Sequence, residues 1–183
     1  DSYNGTARGF AAILDSTGGL TAALANGFDA PVWVVRSNAA GSFLVGGEYE
    51  MLNGEPVESL VRLYADGTRD TNFLPDIVPF PVGSLLQQAD GRLLVGMMYD
   101  DYQHSVDDAI VRLHENGMRD TSFRSTDLFR AMGYPTVSAL AFDSTGRVWV
   151  GGTFDGCQGI GKNDLIRLLP DGSVDASFNP SLS

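Results

Sequence analysis

The chain is 183 residues long, with 43% hydrophobic residues, 22 glycines and a formal net charge of −11 from 12 Lys and Arg against 23 Asp and Glu. That acidity argues against nucleic acid and anionic membrane surfaces, because binding to phosphate backbones runs on basic patches. The single Cys157 excludes an internal disulfide and a thiolate metal cluster, and no apolar run approaches the ~20 residues of a membrane span.

In chain order, the first informative segment is Ala12-Ile-Leu-Asp-Ser-Thr-Gly18. It is a weak copy of one that returns three times, as Val61-Arg-Leu-Tyr-Ala-Asp-Gly67, Val111-Arg-Leu-His-Glu-Asn-Gly117 and Ile166-Arg-Leu-Leu-Pro-Asp-Gly172. The turn glycines are spaced by 49, 50 and 55 residues. A second block repeats in phase: residues 32–46 align without gaps to 82–96 and 137–151. Val32 to Phe73, Val82 to Phe123 and Val137 to Phe178 are each 41 residues, so the unit is constant and only the connections vary. The longer connection, after Phe123, takes up its extra length around residues 128–133, and residues 126–133 are read as one helical turn at most. Insertions in repeat arrays collect on one face, often the binding face.

Within the third unit the predicted elements are four short strands, at 137–142, 147–151, 164–169 and 173–178. Turns at Asp143-Ser-Thr-Gly146 and Pro170-Asp-Gly172 separate the pairs. Short β-branched and aromatic runs bounded by Asn-Gly or Asp-Gly are the hairpin signal. Gly67, Gly117 and Gly172 fall where the turn needs positive φ. Several strands, such as Val148-Trp-Val150, are apolar on both faces, which suits sheets packed between sheets. Four-stranded units of this length predict an all-β chain of β-propeller blades, three full four-stranded blades plus a half-blade. A β-solenoid is the alternative, but its coils are shorter and lack four hairpin-linked strands. The predicted divisions are 1–28, the C-terminal half of a blade, then blades at 29–78, 79–127 and 128–183, together one propeller segment. Three and a half blades do not close a ring, so the expectation is a piece of a longer propeller or a subunit completed by neighbours.

The recurring residues resemble the bacterial delta-60 propeller repeats, relatives in shape of the NHL and WD40 propellers. Gly46-Gly47 and Gly151-Gly152 match that pattern at the end of the second strand, and Gly96-Met97 departs from it. Asn53-Gly54, Arg62-Leu63, Asp66-Gly67 and Asp70-Thr-Asn-Phe73 also match, as do Asp120-Thr-Ser-Phe123 and Asp175-Ala-Ser-Phe178. The first half-blade departs, with Ile13 in place of Arg and Thr21 in place of Asp. The resemblance implies a propeller, usually in large secreted or cell-surface bacterial proteins, and no catalytic residues.

Each candidate site has a plainer structural reading. Gly156-Cys-Gln-Gly-Ile-Gly161-Lys162-Asn163 imitates a phosphate-binding loop, but it lacks the Ser or Thr after the lysine and precedes a strand instead of a helix. Asp100, Asp101, Asp107 and Asp108 could offer oxygen ligands to calcium, though without EF-hand spacing. Arg62, Arg112 and Arg167 recur on the third strand, and Asp70, Asp120 and Asp175 on the fourth. A group present in every blade reads as a scaffold pair, since an active site is usually made once. Asp66 and Asp171 in the turns and Phe73, Phe123 and Phe178 complete the repeated set. His114 reads as a packing residue, and neither it nor His104 has a nucleophile at a recognisable spacing. Asn4-Gly-Thr6 is a glycosylation sequon that also reads as the repeat's turn. Tyr49, Tyr99 and Phe154 share a repeat position read as core, whereas loop residues Tyr102 and Tyr134 could stack on sugars.

The function expected from these residues is a non-catalytic, extracellular or cell-surface module with no cofactor. It would serve in structure, protein–protein interaction or self-assembly, with copies of itself or the rest of a longer propeller as partners, possible end products being a ring or a filament. A glycan-binding propeller is one alternative and a propeller hydrolase or lyase another.

Overall fold

Each repeat folds as a meander because short aliphatic runs are cut by turns that only a few residues can occupy. The computed structural model describes residues 2–21, 24–38, 40–77, 80–98, 108–124, 127–131 and 133–179. Its strands are β1 (Ser2–Tyr3), β2 (Thr6–Ala7), β3 (Val32–Ser37), β4 (Phe43–Gly47), β5 (Met51–Leu52), β6 (Glu55–Pro56), β7 (Leu60–Leu63) and β8 (Val82–Gln87). They continue as β9 (Leu93–Met97), β10 (Ile110–Leu113), β11 (Leu128–Phe129), β12 (Thr136–Phe142), β13 (Val148–Thr153), β14 (Gly156–Cys157), β15 (Ile160–Gly161) and β16 (Leu165–Leu168). Among the described residues there is no helix.

Three antiparallel sheets repeat one plan: β3-β4-β7, β8-β9-β10 and β12-β13-β16. In all three the first strand shifts register at the same place, between Val32 and Val34, Val82 and Ser84, and Val137 and Ala139. A repeated bulge of this kind is a built feature of the unit. The fold is the predicted all-β propeller array, with one difference inside the blade. The expected fourth strand shrinks to a single bridge: Leu63 to Arg69, Leu113 to Arg119, and Leu168 to Val174. The cause is the aspartate that follows. Asp70 Oδ1 accepts the amide of Asn72 at 2.9 Å, and its carbonyl accepts the amide of Phe73 at 3.3 Å. This local turn competes with an extended strand and ends it. In the half-blade the same hairpin survives as the bridge Leu14 to Leu20.

The loop between second and third strands is itself a hairpin. β1 pairs with β2, β5 with β6, and β14 with β15. Both central residues of each turn have positive φ, 52° and 89° at Asn53-Gly54 and 49° and 76° at Gln158-Gly159, as a type I′ turn requires. The connection after Phe123 is not the expected helical turn: it carries β11, which pairs with β14. It is also less irregular than its length suggests. Leu128 seats beneath that hairpin as Phe28 seats beneath β5 through its bridge to Leu52. The amides of Gln158 and Asn53 donate to the carbonyls of Asp127 and Gly27 at 3.0 and 2.8 Å.

β8 lies between β3 and β12, so its sheet is packed on both sides. The main core gathers around that sheet. A smaller core of Leu24, Phe28, Val45, Tyr49, Leu52, Val61 and Leu63 joins the half-blade to the first full blade.

Candidate functional site

The repeated residues converge on a corner at each blade-to-blade seam. Arg62 leaves β7 and grips Asp70 Oδ2 through Nε at 2.8 Å and Nη2 at 2.7 Å. Its guanidinium lies 4.9 Å from the Phe73 ring centroid. The remaining nitrogen, Nη1, crosses the seam and donates to the Glu115 carbonyl of the next blade at 2.7 Å. Arg112 repeats this: Nε to Asp120 at 2.8 Å, the ring of Phe123 at 4.8 Å, and Nη1 to the Pro170 carbonyl at 2.9 Å. Arg167 grips Asp175 at 2.9 and 2.8 Å and stacks 4.9 Å from Phe178. Its Nη1 finds no carbonyl among the described residues.

The backbone crosses the same seams. The amide of Leu74 donates to Asn116 at 3.0 Å and that of Arg124 to Asp171 at 2.7 Å. The side chain at the third position shapes each of the repeated turns, and in the receiving turn of the second full blade it is Asn116, whose Oδ1 accepts the amide of Met118 at 3.0 Å. Asp66 accepts the amide and hydroxyl of Thr68 at 2.9 and 2.7 Å, and Asp171 those of Ser173 at 2.9 and 2.6 Å. Gly67, Gly117 and Gly172 have φ of 85°, 93° and 88°. At Gly117 a Cβ would stand 2.6 Å from the carbonyl oxygen of Leu74, and at Gly172 it would meet that of Arg124. Gly117 and Gly172 therefore serve the seam as well as the turn.

Among the described residues, Asp120 is the corner acid that accepts hydrogen bonds from two arginines. It accepts Arg92 Nη1 at 3.0 Å, Ser122 Oγ at 2.6 Å and the Ser122 amide at 3.0 Å, besides Arg112. Burial is the largest single influence and works against its charge. The Ser122 hydroxyl and amide, Arg92 and Arg112 together outweigh it and hold the carboxyl well below the usual range. The half-blade lacks this corner. Ile13 and Thr21 replace the pair, and the buried Thr21 hydroxyl has no hydrogen-bond partner among the described residues. The backbone bond from Thr21 to Ile13 survives at 2.9 Å.

The two ends of the array are bare where internal seams are closed. Val35 on β3 is 48% exposed, whereas Leu85, at the same repeat position on β8, is 1% exposed. Leu14 is exposed beside it, and Trp33 and Phe10 are exposed as well. A cleft of about 250 Å³ lies there, lined by Ile13, Leu14, Leu24, Phe28, Val35 and Phe43. At the trailing side Trp149 is half-exposed, although its counterparts Leu44 and Leu94 are buried. A Cβ at Gly46 or Gly96 would press on Val82 or Val137 of the following blade, while at Gly151 the nearest atom would be Ala139 Cβ at 3.7 Å. Sequence reasoning missed these faces. The signal was present: Trp33 and Val35 occupy positions held by Gly83 and Leu85 in the enclosed blade. It also missed a larger cleft of about 600 Å³, bordered by Glu48, Glu50, Glu58, Tyr49, Phe80 and Pro81.

The remaining candidates that lie among the described residues are engaged in structural contacts or buried. Residues 156–163 form the β14–β15 hairpin, and Lys162 Nζ is bonded to the Phe178 carbonyl and Asn179 Oδ1, both at 2.8 Å. Cys157 is fully buried, and that burial pushes its thiol up to about 12. His114 is exposed, contrary to the packing expectation, because it opens the surface turn in which its amide bonds Met118. Asp108 is engaged by the Arg119 guanidinium through both oxygens. Asp100, Asp101 and Asp107, with Tyr99, Tyr102 and His104, lie outside the described residues. No group of three potential ligands gathers among the described residues. Tyr49 and Phe154 are buried, and Tyr134 packs against the main core. Asn4-Gly5 is the β1–β2 turn.

The sequence model of a family described as a domain of unknown function (DUF5122) beta-propeller matches residues 39–73, 88–123 and 144–178. Each match closes on the phenylalanine of a corner, and together they cover more than half of the chain. A solved structure of PorZ is similar in fold, at TM-score 0.49 and 14% identity. PorZ is described as an essential bacterial surface component of the type-IX secretion system of human oral-microbiomic Porphyromonas gingivalis. The similarity covers 93% of this chain and 24% of that one, so the chain spans about a quarter of its length. No curated protein matches the chain.

Proposed function

The chain belongs to this β-propeller family, and from that premise we propose that it is a non-catalytic interaction module of a secreted or cell-surface bacterial protein. Its work is to hold a rigid, apolar blade face against protein partners. The observation that carries the reading is the contrast between equivalent positions: Val35 is 48% exposed on the leading face where Leu85 is 1% exposed inside a seam. Bare apolar surface with buried counterparts is surface that the rest of a longer propeller or another chain would cover. The non-catalytic part of the reading is supported by the corner residues, whose polar atoms are engaged in tying blades together, and by the burial of Cys157. The surface location and the finer kinship with delta-60 repeats are supported by the shared residues from Gly46-Gly47 to Asp175-Ala-Ser-Phe178.

A photo-crosslinking amino acid at Val35 or at Trp149, installed in the native cell, tests the reading. Both positions are expected to capture a protein in higher yield than the exposed turn residue Thr145, and the captured species is expected to be accessible to protease added outside the cell. Yields no higher than at Thr145 would count against an interaction face.

A further inference from the structure

The cleft of about 600 Å³ lies inside the array, between the first full blade and the entry to β8, and none of its lining residues lines the cleft of the leading face. Its walls follow from how β4 and β7 run on beyond their sheet. The Gly47 amide donates to the Ser59 carbonyl at 3.0 Å, and the Val57 amide to the Glu50 carbonyl at 2.9 Å. Glu48 and Glu58 stand between these two rungs, one on each strand, and both border the cleft. Glu50 borders it as well, while Met51, Val57 and Phe80 supply an apolar wall. All three glutamates are exposed, and their carboxylates form no ion pair or hydrogen bond among the described residues. Like charges facing each other across paired strands destabilise the pairing. A cation in the cleft would offset that cost.

The neighbouring blade shows which cation this place takes. Asp108 holds the repeat position of Glu58, and the Arg119 guanidinium grips both of its oxygens. Arg69, the counterpart of Arg119, does not close on Glu58; its Nη1 donates to the Pro56 carbonyl at 3.4 Å. Three glutamates against that one arginine leave the cleft an excess of two negative charges. At the positions of Glu48 and Glu58 the second full blade has Met98 and Asp108, and the third has Thr153 and Asn163. The facing acids therefore occur once among the described residues, unlike the corner pairs that recur in every full blade.

We propose that this cleft docks an extended, arginine-bearing segment of a protein partner, with a guanidinium seated between Glu48 and Glu58. The planar guanidinium presents its donors in a fork that matches carboxylates, which a lysine ammonium does not. Its aliphatic stem lies along the apolar wall of Met51, Val57 and Phe80. The volume is within the range of ligand pockets, roughly 300–1,000 Å³. The chain's net charge of −11 steers a basic segment toward it. This surface is separate from the bare blade faces, so the inference goes beyond the proposed function and does not depend on it.

Fluorescence anisotropy with a dye-labelled hexa-arginine peptide tests this. The wild-type chain is expected to bind it, and the double variant Glu48→Gln/Glu58→Gln to bind about tenfold more weakly. The control Asp76→Asn/Glu115→Gln removes the same charge from exposed acids that do not border the cleft, and is expected to weaken binding by less than about twofold. A hexa-lysine peptide is expected to bind the wild-type chain about threefold or more weakly than hexa-arginine. Without peptide, the Glu48→Gln/Glu58→Gln chain is expected to melt no lower than wild type, since it loses only facing like charges. That separates a lost contact from a misfolded variant, and a lower melting temperature would overturn the argument from facing acids. No binding by the wild-type chain, equal weakening in the two double variants, or hexa-lysine bound as tightly as hexa-arginine would each overturn the proposal. Free arginine that displaces the peptide at equal concentration would overturn a protein segment as the occupant.

Discussion

Replacing Asp120 by alanine should be among the most damaging single changes in the molecule. Asp120 and Arg112 are 5% and 6% exposed in their side chains. The carboxylate accepts from Arg112, Arg92, the Ser122 hydroxyl and the Ser122 amide. Its removal leaves a buried guanidinium with only the Pro170 carbonyl and Ser122 Oγ as acceptors. Removing one partner of a buried pair costs about 3–5 kcal/mol, most of it the penalty of the charge left behind. For a chain of this length each kcal/mol moves the melting temperature by about 2–4 °C. Asp120→Ala should therefore melt about 6–20 °C lower by circular dichroism, with a matching fall in the urea midpoint. The mechanism makes a sharper demand on the double variant Arg112→Met/Asp120→Leu. With no charge left to strand, it should recover most of the loss. A double variant as unstable as Asp120→Ala, or a single variant within about 1 kcal/mol of wild type, would refute the orphaned-charge reasoning.

Three further outcomes follow from the same geometry. Gly117→Ala should lose at least about 1–2 kcal/mol from its left-handed backbone, with more from the Leu74 carbonyl, whereas Gly18→Ala should lose only the backbone share; comparing their melting temperatures checks this. Cys157 should react with a thiol reagent only as fast as the molecule opens, so its labelling rate should rise with urea in step with unfolding; rapid labelling of the folded chain would contradict its burial. Acid should destabilise the array, because Asp70, Asp120 and Asp175 are held below their ordinary range. Lowered carboxyls stabilise fully above the unfolded value of about 3.9 and lose that contribution as pH falls below it toward the folded values. Urea midpoints compared between neutral pH and about pH 3 should fall, and fall less in Asp120→Asn, which has no charge to neutralise there.

The blade was legible because its signals are local and repeated. Gly67, Gly117 and Gly172 sit at positive φ, and the aliphatic runs between them form the three-stranded sheets. The Arg–Asp pairing could be read as a scaffold from its recurrence alone. What periodicity could not show is the third bond of the arginine, because Glu115 and Pro170 receive it through backbone carbonyls that carry no side-chain signature. The fourth strand was overestimated for a related reason. Asp-x-x-Phe is compatible with an extended run, and only the bonding of the aspartate to its own following amides turns the chain. β11 was hidden because Leu128-Phe129 is too short to have a period, and its strand character comes from the hairpin it joins.

The sheet β8-β9-β10, enclosed on both faces, has an energetic consequence. Where each repeat touches only its neighbours, stability is approximately a sum of what each unit contributes and what each junction contributes. The enclosed unit shares in two full junctions, and the third blade in one. Protection against hydrogen exchange should therefore be graded: amides of β9 and β10 open only when the whole array does, while those of β12 open in local events at lower free energy. Melting proceeds from the ends inward, and anything that covers an end adds a junction whose free energy reaches the middle.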